Sequence, residues 1–148
     1  MADILQRIGI AAPPERVYES LATIEGLTGW WTDDVVGDPA VGGNLTFTFG
    51  HPDRAATMQV TASSPDSGVS WRCVAGPDEW LDTTFTFALE PTADETVVLF
   101  TNAGWREPVP FMGHCTTKWG YYLLGLKAGL EGGQATPYPI SIPISGWD

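Results

Sequence analysis

The spacing of hydrophobic residues changes along the chain, and each spacing predicts a different kind of element. Apolar and polar positions alternate over residues 3–11, as in a β-strand. A helix is predicted from Pro14 onward, because proline favours the first turn of a helix. Its core-facing residues at helical spacing are Val17, Leu21 and Ile24. The stretch that follows, "EGLTGWWTDDVVG" at residues 25–37, is interpreted as a short second helix or a turn.

From Gly42 to about Asn102 the pattern has a period of two and predicts five further strands. Runs such as "NLTFTFG" are bounded by turn formers such as "GHPDR" and "SSPDSG", so consecutive strands should be antiparallel. The alternating residues expected on one face of these strands are Leu45, Phe47, Phe49, Met58, Val60, Val69, Trp71, Cys73, Leu81, Phe85, Phe87, Leu89, Val98, Phe100 and Asn102. With the first strand, this predicts a sheet of six to seven strands.

A helical period returns near the end of the chain and predicts one long helix over residues 109–131, which Gly132 and Gly133 end. Its apolar stripe consists of Phe111, Cys115, Trp119, Tyr122, Leu123, Leu126 and Leu130. The tail at residues 134–148 is rich in proline and should lie extended on the surface, with Trp147 as a candidate anchor. This order predicts an α+β fold in which a curved antiparallel sheet wraps around the long helix and leaves a cavity near one helix end.

Composition narrows the class of protein. A length of 148 residues fits one domain, residues 1–148, and the net charge of -11 disfavours nucleic acids and anionic membranes as partners. Cys73 and Cys115 lack metal or redox spacing and are expected to be free thiols. The chain has neither a leader-like apolar run nor a stretch that could span a membrane, so we expect a cytoplasmic protein.

Three segments resemble a known family: "GLTGWWTDDVVGDPAVGGNLTFTFG", "GPDEWLDTTFTFALEPTADETVVLFTNAGW" and "FMGHCTTKWGYYLLGLKAGLEGG". They are similar to the SRPBCC (START, birch-pollen-allergen-like) superfamily, and within it to bacterial members of the heat-shock protein 90 ATPase activator-like family. The resemblance implies a helix-grip fold with an internal apolar cavity. Relatives bind lipids, hormones or polyketides, and some act as cyclases. Where relatives are expected to read "FTHAGW", this chain carries Asn102, whose amide cannot titrate.

The adjacent Trp30 and Trp31 have three interpretations: core packing, a cavity wall, or a patch for a partner. Adjacent residues on a helix point about 100° apart, so we expect one ring in the core and the other toward a ligand. Asp33 and Asp34 could form a general acid, but a pair beside a turn is more typical of a solvated cap. No cofactor or metal site is predicted, because no nucleotide-binding motif or metal-ligand spacing occurs.

The leading hypothesis is a module that binds a small hydrophobic or aromatic molecule. The candidate ligand-binding residues are Trp30, Trp31, Trp71, Trp80, Phe87, Phe100, Asn102, Phe111, His114, Cys115, Lys118, Trp119 and Tyr122. Of these, Asn102, His114 and Lys118 would orient a polar head group. One alternative is a cyclase or lyase with His114 as general base, which requires His114 to face the cavity beside a hydrogen-bonding partner. Another is a protein that binds a chaperone or a second copy of itself through an exposed apolar patch.

Overall fold

The computed structural model describes all 148 residues and contains one seven-stranded sheet and three α-helices. The strands are β1 (Ala2–Ile10), β2 (Asp34–Gly37), β3 (Asn44–Thr48), β4 (Ala55–Ser64), β5 (Gly68–Ala75), β6 (Thr84–Pro91) and β7 (Thr96–Trp105). The helices are α1 (Pro14–Ala22), α2 (Ile24–Thr28) and α3 (Pro110–Leu130), and a short 3-10 helix covers Pro52–Arg54.

The sheet is antiparallel throughout, in the order β1-β7-β6-β5-β4-β3-β2. The strands from β2 to β7 form a meander, and β1 pairs with β7 at the far edge. The sheet curves around α3, so the predicted α+β helix-grip fold is confirmed. Helix α3 is also hydrogen-bonded to β1, since the Gln6 side-chain amide donates to the Thr116 carbonyl at 2.7 Å.

The structure differs from the predicted pattern at two strands. Residues 25–37 include β2, which is four residues long with only Val35 buried, too short to show a period of two. Leu81, expected to face inward on a strand, lies in the turn before β6 and is 36% exposed. The neighbouring Asp82 has a φ of 63°, a conformation that ends strand geometry there.

The centre of the core is a cluster of aromatic rings between the sheet and α3. Trp119 of α3 packs 4.5 Å from Phe100 and 4.8 Å from Trp31, measured between ring centroids. Trp31 also lies 4.4 Å from Phe47 and stacks nearly parallel on Trp71 at 5.9 Å. Offset and tilted aromatic pairs of this kind add about 0.5–1.5 kcal/mol each beyond the burial of their area. They fix the position of α3 against the sheet.

The tail runs from the end of α3 back across the molecule. The Tyr138 N–H donates to the Trp31 carbonyl at 2.9 Å, and the Asp33 N–H donates to the Tyr138 carbonyl at 3.0 Å. No residue from 132 to 148 is fully buried. The tail is attached through these hydrogen bonds and through apolar contacts such as that of the Tyr138 ring with Phe49, whose centroids are 5.7 Å apart. No helix of the protein has the length and apolar character required to cross a membrane.

Candidate functional site

A cavity of about 550 Å³ lies between α3, the start of β4, the segments that follow β3 and β5, and the tail. Most of its walls are apolar. The lining residues are Trp31, Phe49, Asp53, Arg54, Ala55, Ala56, Gly76, Pro77, Trp80, Phe111, His114, Cys115, Lys118, Trp119, Tyr122, Tyr138, Trp147 and Asp148. This volume lies within the range of about 300–1,000 Å³ that is typical of small-molecule sites.

One face of α3 supplies the largest share of the lining. Residues three and four apart lie on the same face of a helix, so the spacing of the α3 residues directs them to one cavity. These residues are Phe111, His114, Cys115, Lys118, Trp119 and Tyr122. The sheet and the loop between β5 and β6 supply the opposite wall, including Ala56 and Trp80.

Eight of the thirteen candidate ligand-binding residues line this cavity: Trp31, Trp80, Phe111, His114, Cys115, Lys118, Trp119 and Tyr122. The other five lie outside the lining: Trp30, Trp71, Phe87, Phe100 and Asn102. The paired tryptophans lie in the turn after α2 and their rings stack with centroids 6.2 Å apart, so the divergence of about 100° expected for a helix is not found. Trp31 lines the cavity, whereas Trp30 lies in the core, where its indole N–H donates to the Ser20 carbonyl at 2.9 Å. Both rings are buried, at 2% and 3% exposure, so they form no surface patch.

Asn102 does not line the cavity and is hydrogen-bonded within the core. Its side chain is fully buried, and its Nδ2 donates to the Thr83 hydroxyl and to the Thr84 carbonyl, each at 3.1 Å. Its Oδ1 accepts the indole N–H of Trp105 at 2.7 Å. The amide thus joins β7 to the turn before β6. Asp33 and Asp34 are exposed and lie outside the cavity.

Several lining residues were absent from the candidate set. Phe49 follows β3 and was expected to alternate inward, so its strand position was a usable signal. Arg54 and Asp148 carried no such signal, because charged residues in a turn and a tail usually face solvent. They are 94 positions apart in the sequence, yet the Arg54 guanidinium donates to the Asp148 backbone carbonyl. The path of the tail, which has no periodicity, brings them together.

The polar end of the cavity is built around Asp148. The Lys118 ammonium forms an ion pair with the carboxylate Oδ1, and the two side chains are only 17% and 19% exposed. The other oxygen, Oδ2, accepts the N–H groups of Ile144 at 2.7 Å and Ser145 at 2.6 Å. Burial opposes ionisation of this carboxyl, but these hydrogen bonds and the charge of Lys118 outweigh it, and the pKa of Asp148 is lowered.

His114 lies at the same end. Its Nδ1 is 2.9 Å from the Ser145 hydroxyl, and its ring forms a triangle with those of Phe111 and Trp147, whose centroids are each 5.9 Å from it and 6.1 Å from each other. Burial lowers the pKa of His114; the Asp148 charge opposes this shift and Lys118 adds to it. The imidazole is therefore neutral at pH 7 and can accept a proton. Ser145 is its side-chain hydrogen-bonding partner, and no carboxylate is hydrogen-bonded to the ring.

The remaining polar groups of the cavity are weakly reactive. Burial raises the pKa of the Cys115 thiol to about 12, although a hydrogen bond with Trp80 lowers it somewhat. The thiol is thus protonated at neutral pH and is a poor nucleophile. The indole N–H of Trp80 is buried and donates to no oxygen or nitrogen atom, and the Cys115 sulfur is the polar atom beside it. No group of three or more His, Cys, Asp or Glu side chains is arranged to hold a metal.

Comparison with known proteins assigns the chain to a protein family. The family profile described as "Activator of Hsp90 ATPase homolog 1-like protein" matches residues 11–131. Nothing among the curated proteins matches the sequence.

Solved structures show the same fold. The solution structure of the Aha1 dimer from Colwellia psychrerythraea is 41% identical, with a TM-score of 0.81, covering 90% of this chain and 98% of the other. CalU16 from Micromonospora echinospora is 19% identical, with a TM-score of 0.74 and coverage of 93% and 77%. MLL2253 from Mesorhizobium loti is 20% identical, with a TM-score of 0.73 and coverage of 85% and 94%.

Proposed function

Since the chain belongs to the Activator of Hsp90 ATPase homolog 1-like family, within the SRPBCC superfamily, we propose that it binds a small hydrophobic or aromatic molecule between α3 and the sheet. The observation that carries this proposal is the cavity of about 550 Å³, whose walls include four tryptophans: Trp31, Trp80, Trp119 and Trp147. A small number of polar groups gathers at one end, the arrangement typical of a site that orients an amphipathic ligand.

The affinity for the ligand would come from removing apolar surface of the ligand and of the cavity from water. Removing apolar surface from water contributes about 25 cal/mol per Å², so a ligand that buries about 200 Å² gains about 5 kcal/mol before its loss of freedom is counted. The aromatic walls are held by their neighbours in the core, so little side-chain ordering is required on binding. Trp31, for example, is fixed by Phe47 and Trp71.

A cavity-filling variant tests the proposal. Ala56 lines the cavity from β4, whereas Ala62 is an exposed residue of the same strand. The neutral fluorophore N-phenyl-1-naphthylamine should bind the wild-type protein, and Ala56→Leu should weaken binding about tenfold or more, because the added carbons occupy ligand space. Ala62→Leu should bind the probe like the wild type. The proposal fails if the wild type binds no probe, or if folded Ala56→Leu binds it unchanged.

Native mass spectrometry of protein purified from its own host would identify the natural ligand.

We also propose that the chain forms a homodimer, which the Aha1 dimer of its 41% identical relative favours. Leu5 of β1 and Leu99 of β7 are 65% and 40% exposed, and they lie diagonally opposite on the outer face of the sheet. Light scattering coupled to gel filtration should give twice the chain mass at high concentration. A single-chain mass across the concentration range would refute the dimer and leave the ligand proposal intact.

A further inference from the structure

The cavity holds a carboxylate of the protein itself, and this indicates the class of ligand. We infer that the ligand is an aromatic carboxylate, whose charged group takes the place of Asp148 beside Lys118 and Arg54 while its ring enters the apolar part of the cavity. This inference rests on the proposed function and specifies it further.

The distribution of charge supports an anion. The protein has a net charge of -11 and only seven Lys and Arg residues, yet two of these seven, Arg54 and Lys118, line this one cavity. Apart from Asp148, the single acidic residue of the lining is Asp53. The Lys118 side chain is 17% exposed, and a largely buried ammonium requires an anion beside it. A neutral ligand that displaced the tail would leave this charge unpaired, whereas an anionic ligand would restore the pair.

The attachment of the tail makes such an exchange feasible. No residue from 132 to 148 is fully buried, and three apolar side chains remain 58–64% exposed: Ile140, Ile142 and Trp147. Releasing the last part of the tail, residues 142–148, therefore gives up little burial of its own apolar side chains, since Ile142 and Trp147 are already largely exposed. One oxygen of Asp148 bonds to the tail's own backbone, at Ile144 and Ser145, so the ion pair with Lys118 is its side-chain link to the rest of the protein.

Trp147, the neighbour of Asp148, indicates that the uncharged part of the ligand is aromatic. The Trp147 ring packs against Phe111 at 6.1 Å and His114 at 5.9 Å, at the entrance of the cavity. The last two residues thus present an aromatic ring and a carboxylate, side by side, to the same group of cavity residues. An aromatic carboxylate offers both features in one molecule and can also bury its ring against the cavity walls.

The test compares two compounds that differ only in charge, 1-naphthaleneacetate and its neutral amide, 1-naphthaleneacetamide. Their binding is measured by titration calorimetry to the full-length wild type, Lys118→Gln and Asp148→Asn. Lys127→Gln is the control for Lys118, because Lys127 lies on the same helix, pairs with Glu131 and does not line the cavity. Asp66→Asn, at an exposed turn, is the control for Asp148.

The wild type should bind the acid about tenfold or more tightly than the amide, as a charge-assisted contact predicts. Lys118→Gln should remove this preference, and Asp148→Asn should strengthen binding of the acid about tenfold by removing the competing anion. The controls should behave like the wild type. Because the Ile144 and Ser145 amides bond to Asp148, their hydrogen exchange should accelerate with the acid and not with the amide.

The outcomes separate this inference from the proposed function. If the acid and the amide bind equally, in the wild type and in Lys118→Gln, the inference is overturned and the apolar cavity remains a binding site. The same conclusion follows if neither compound binds but neutral N-phenyl-1-naphthylamine does. If that probe also fails to bind, the inference and the proposed function both fall. Acid binding without faster exchange at Ile144 and Ser145 would overturn the replacement of Asp148.

Discussion

Asn102 illustrates how a single buried polar side chain can be structural where a family position suggests chemistry. Its amide makes three hydrogen bonds, to Thr83, Thr84 and Trp105, and none of them reaches the cavity. A titratable imidazole at this position would need different partners, since the neutral ring has one donor and one acceptor. In this chain the position therefore contributes to stability rather than to acid–base work.

Replacing Asn102 by leucine should lower the free energy of unfolding by about 2–4 kcal/mol, because the Trp105 indole N–H and the Thr84 carbonyl would lose their partner in the core. Urea denaturation followed by circular dichroism measures this loss. Thr101→Val, one position earlier on the opposite face of β7, is the control and should change stability by less than about 1 kcal/mol. Equal losses in both variants would contradict the role assigned to the amide.

The two cysteines should be unreactive in the folded protein. Burial raises the pKa of Cys73 to about 11 and that of Cys115 to about 12, from an ordinary value of 9.0. Both thiols stay protonated at about pH 8, so Ellman's reagent should react only after denaturation. The raised pKa values contribute stability that is complete below pH 9 and is lost as the pH rises through about 11 and 12. Rapid labelling of the native protein would contradict this.

At the scale of elements, the two helices that contain unusual glycines use them differently. Gly26 lies in α2, where a Cβ would stand 2.3 Å from the Glu19 carbonyl oxygen and 2.6 Å from the Ser20 Cα. These are backbone atoms of α1, so the contact cannot relax through a side chain. Gly113 lies in α3, and a Cβ there would meet nothing within 4 Å. Close packing therefore requires glycine at the first position and not at the second.

Alanine substitutions at Gly26 and Gly113 should therefore change the stability of the protein in opposite directions. Gly26→Ala should destabilise the protein by about 1–3 kcal/mol through overlap with α1, whereas Gly113→Ala should stabilise it by up to about 1 kcal/mol by favouring the helix. Thermal unfolding of both variants beside the wild type measures the two shifts. A stabilised Gly26→Ala protein would show that α2 can move away from α1 at no cost.

Elements with a clear period were predictable from the sequence, and so was the part of the site that they carry. The stripe of α3 identified Phe111, Cys115, Trp119 and Tyr122, because a helix keeps residues three and four apart on one face. Strand β2 escaped prediction because four residues are too few to show alternation. The polar end of the cavity depends on where the tail turns, and no local pattern encodes that path. Arg54 and Asp148 were consequently absent from the candidate residues.

For the whole molecule, the dominant long-range force is the repulsion among its acidic residues. Eighteen Asp and Glu face seven Lys and Arg, so compact packing carries an electrostatic cost that dissolved salt screens. Raising NaCl to about 0.5 M should therefore increase the melting temperature by about 2–4 °C, equivalent to about 1 kcal/mol. Differential scanning calorimetry measures the change. A melting temperature that falls with salt would mean that specific ion pairs, such as Lys118 with Asp148, outweigh the general repulsion.

The ladder of indoles in the core also has an optical consequence. Trp30, Trp31 and Trp71 are stacked in sequence at 6.2 and 5.9 Å with nearly parallel planes, and Trp119 lies 4.8 Å from Trp31. Transition dipoles this close couple, so the folded protein should show an exciton band in circular dichroism that disappears when the core separates. Trp147, 58% exposed at the cavity entrance, emits from a wetter environment at longer wavelength. Of the seven tryptophans, Trp30, Trp31, Trp71 and Trp119 thus form an array that reports on the interior, Trp147 reports on the tail, and Trp80 and Trp105 belong to neither.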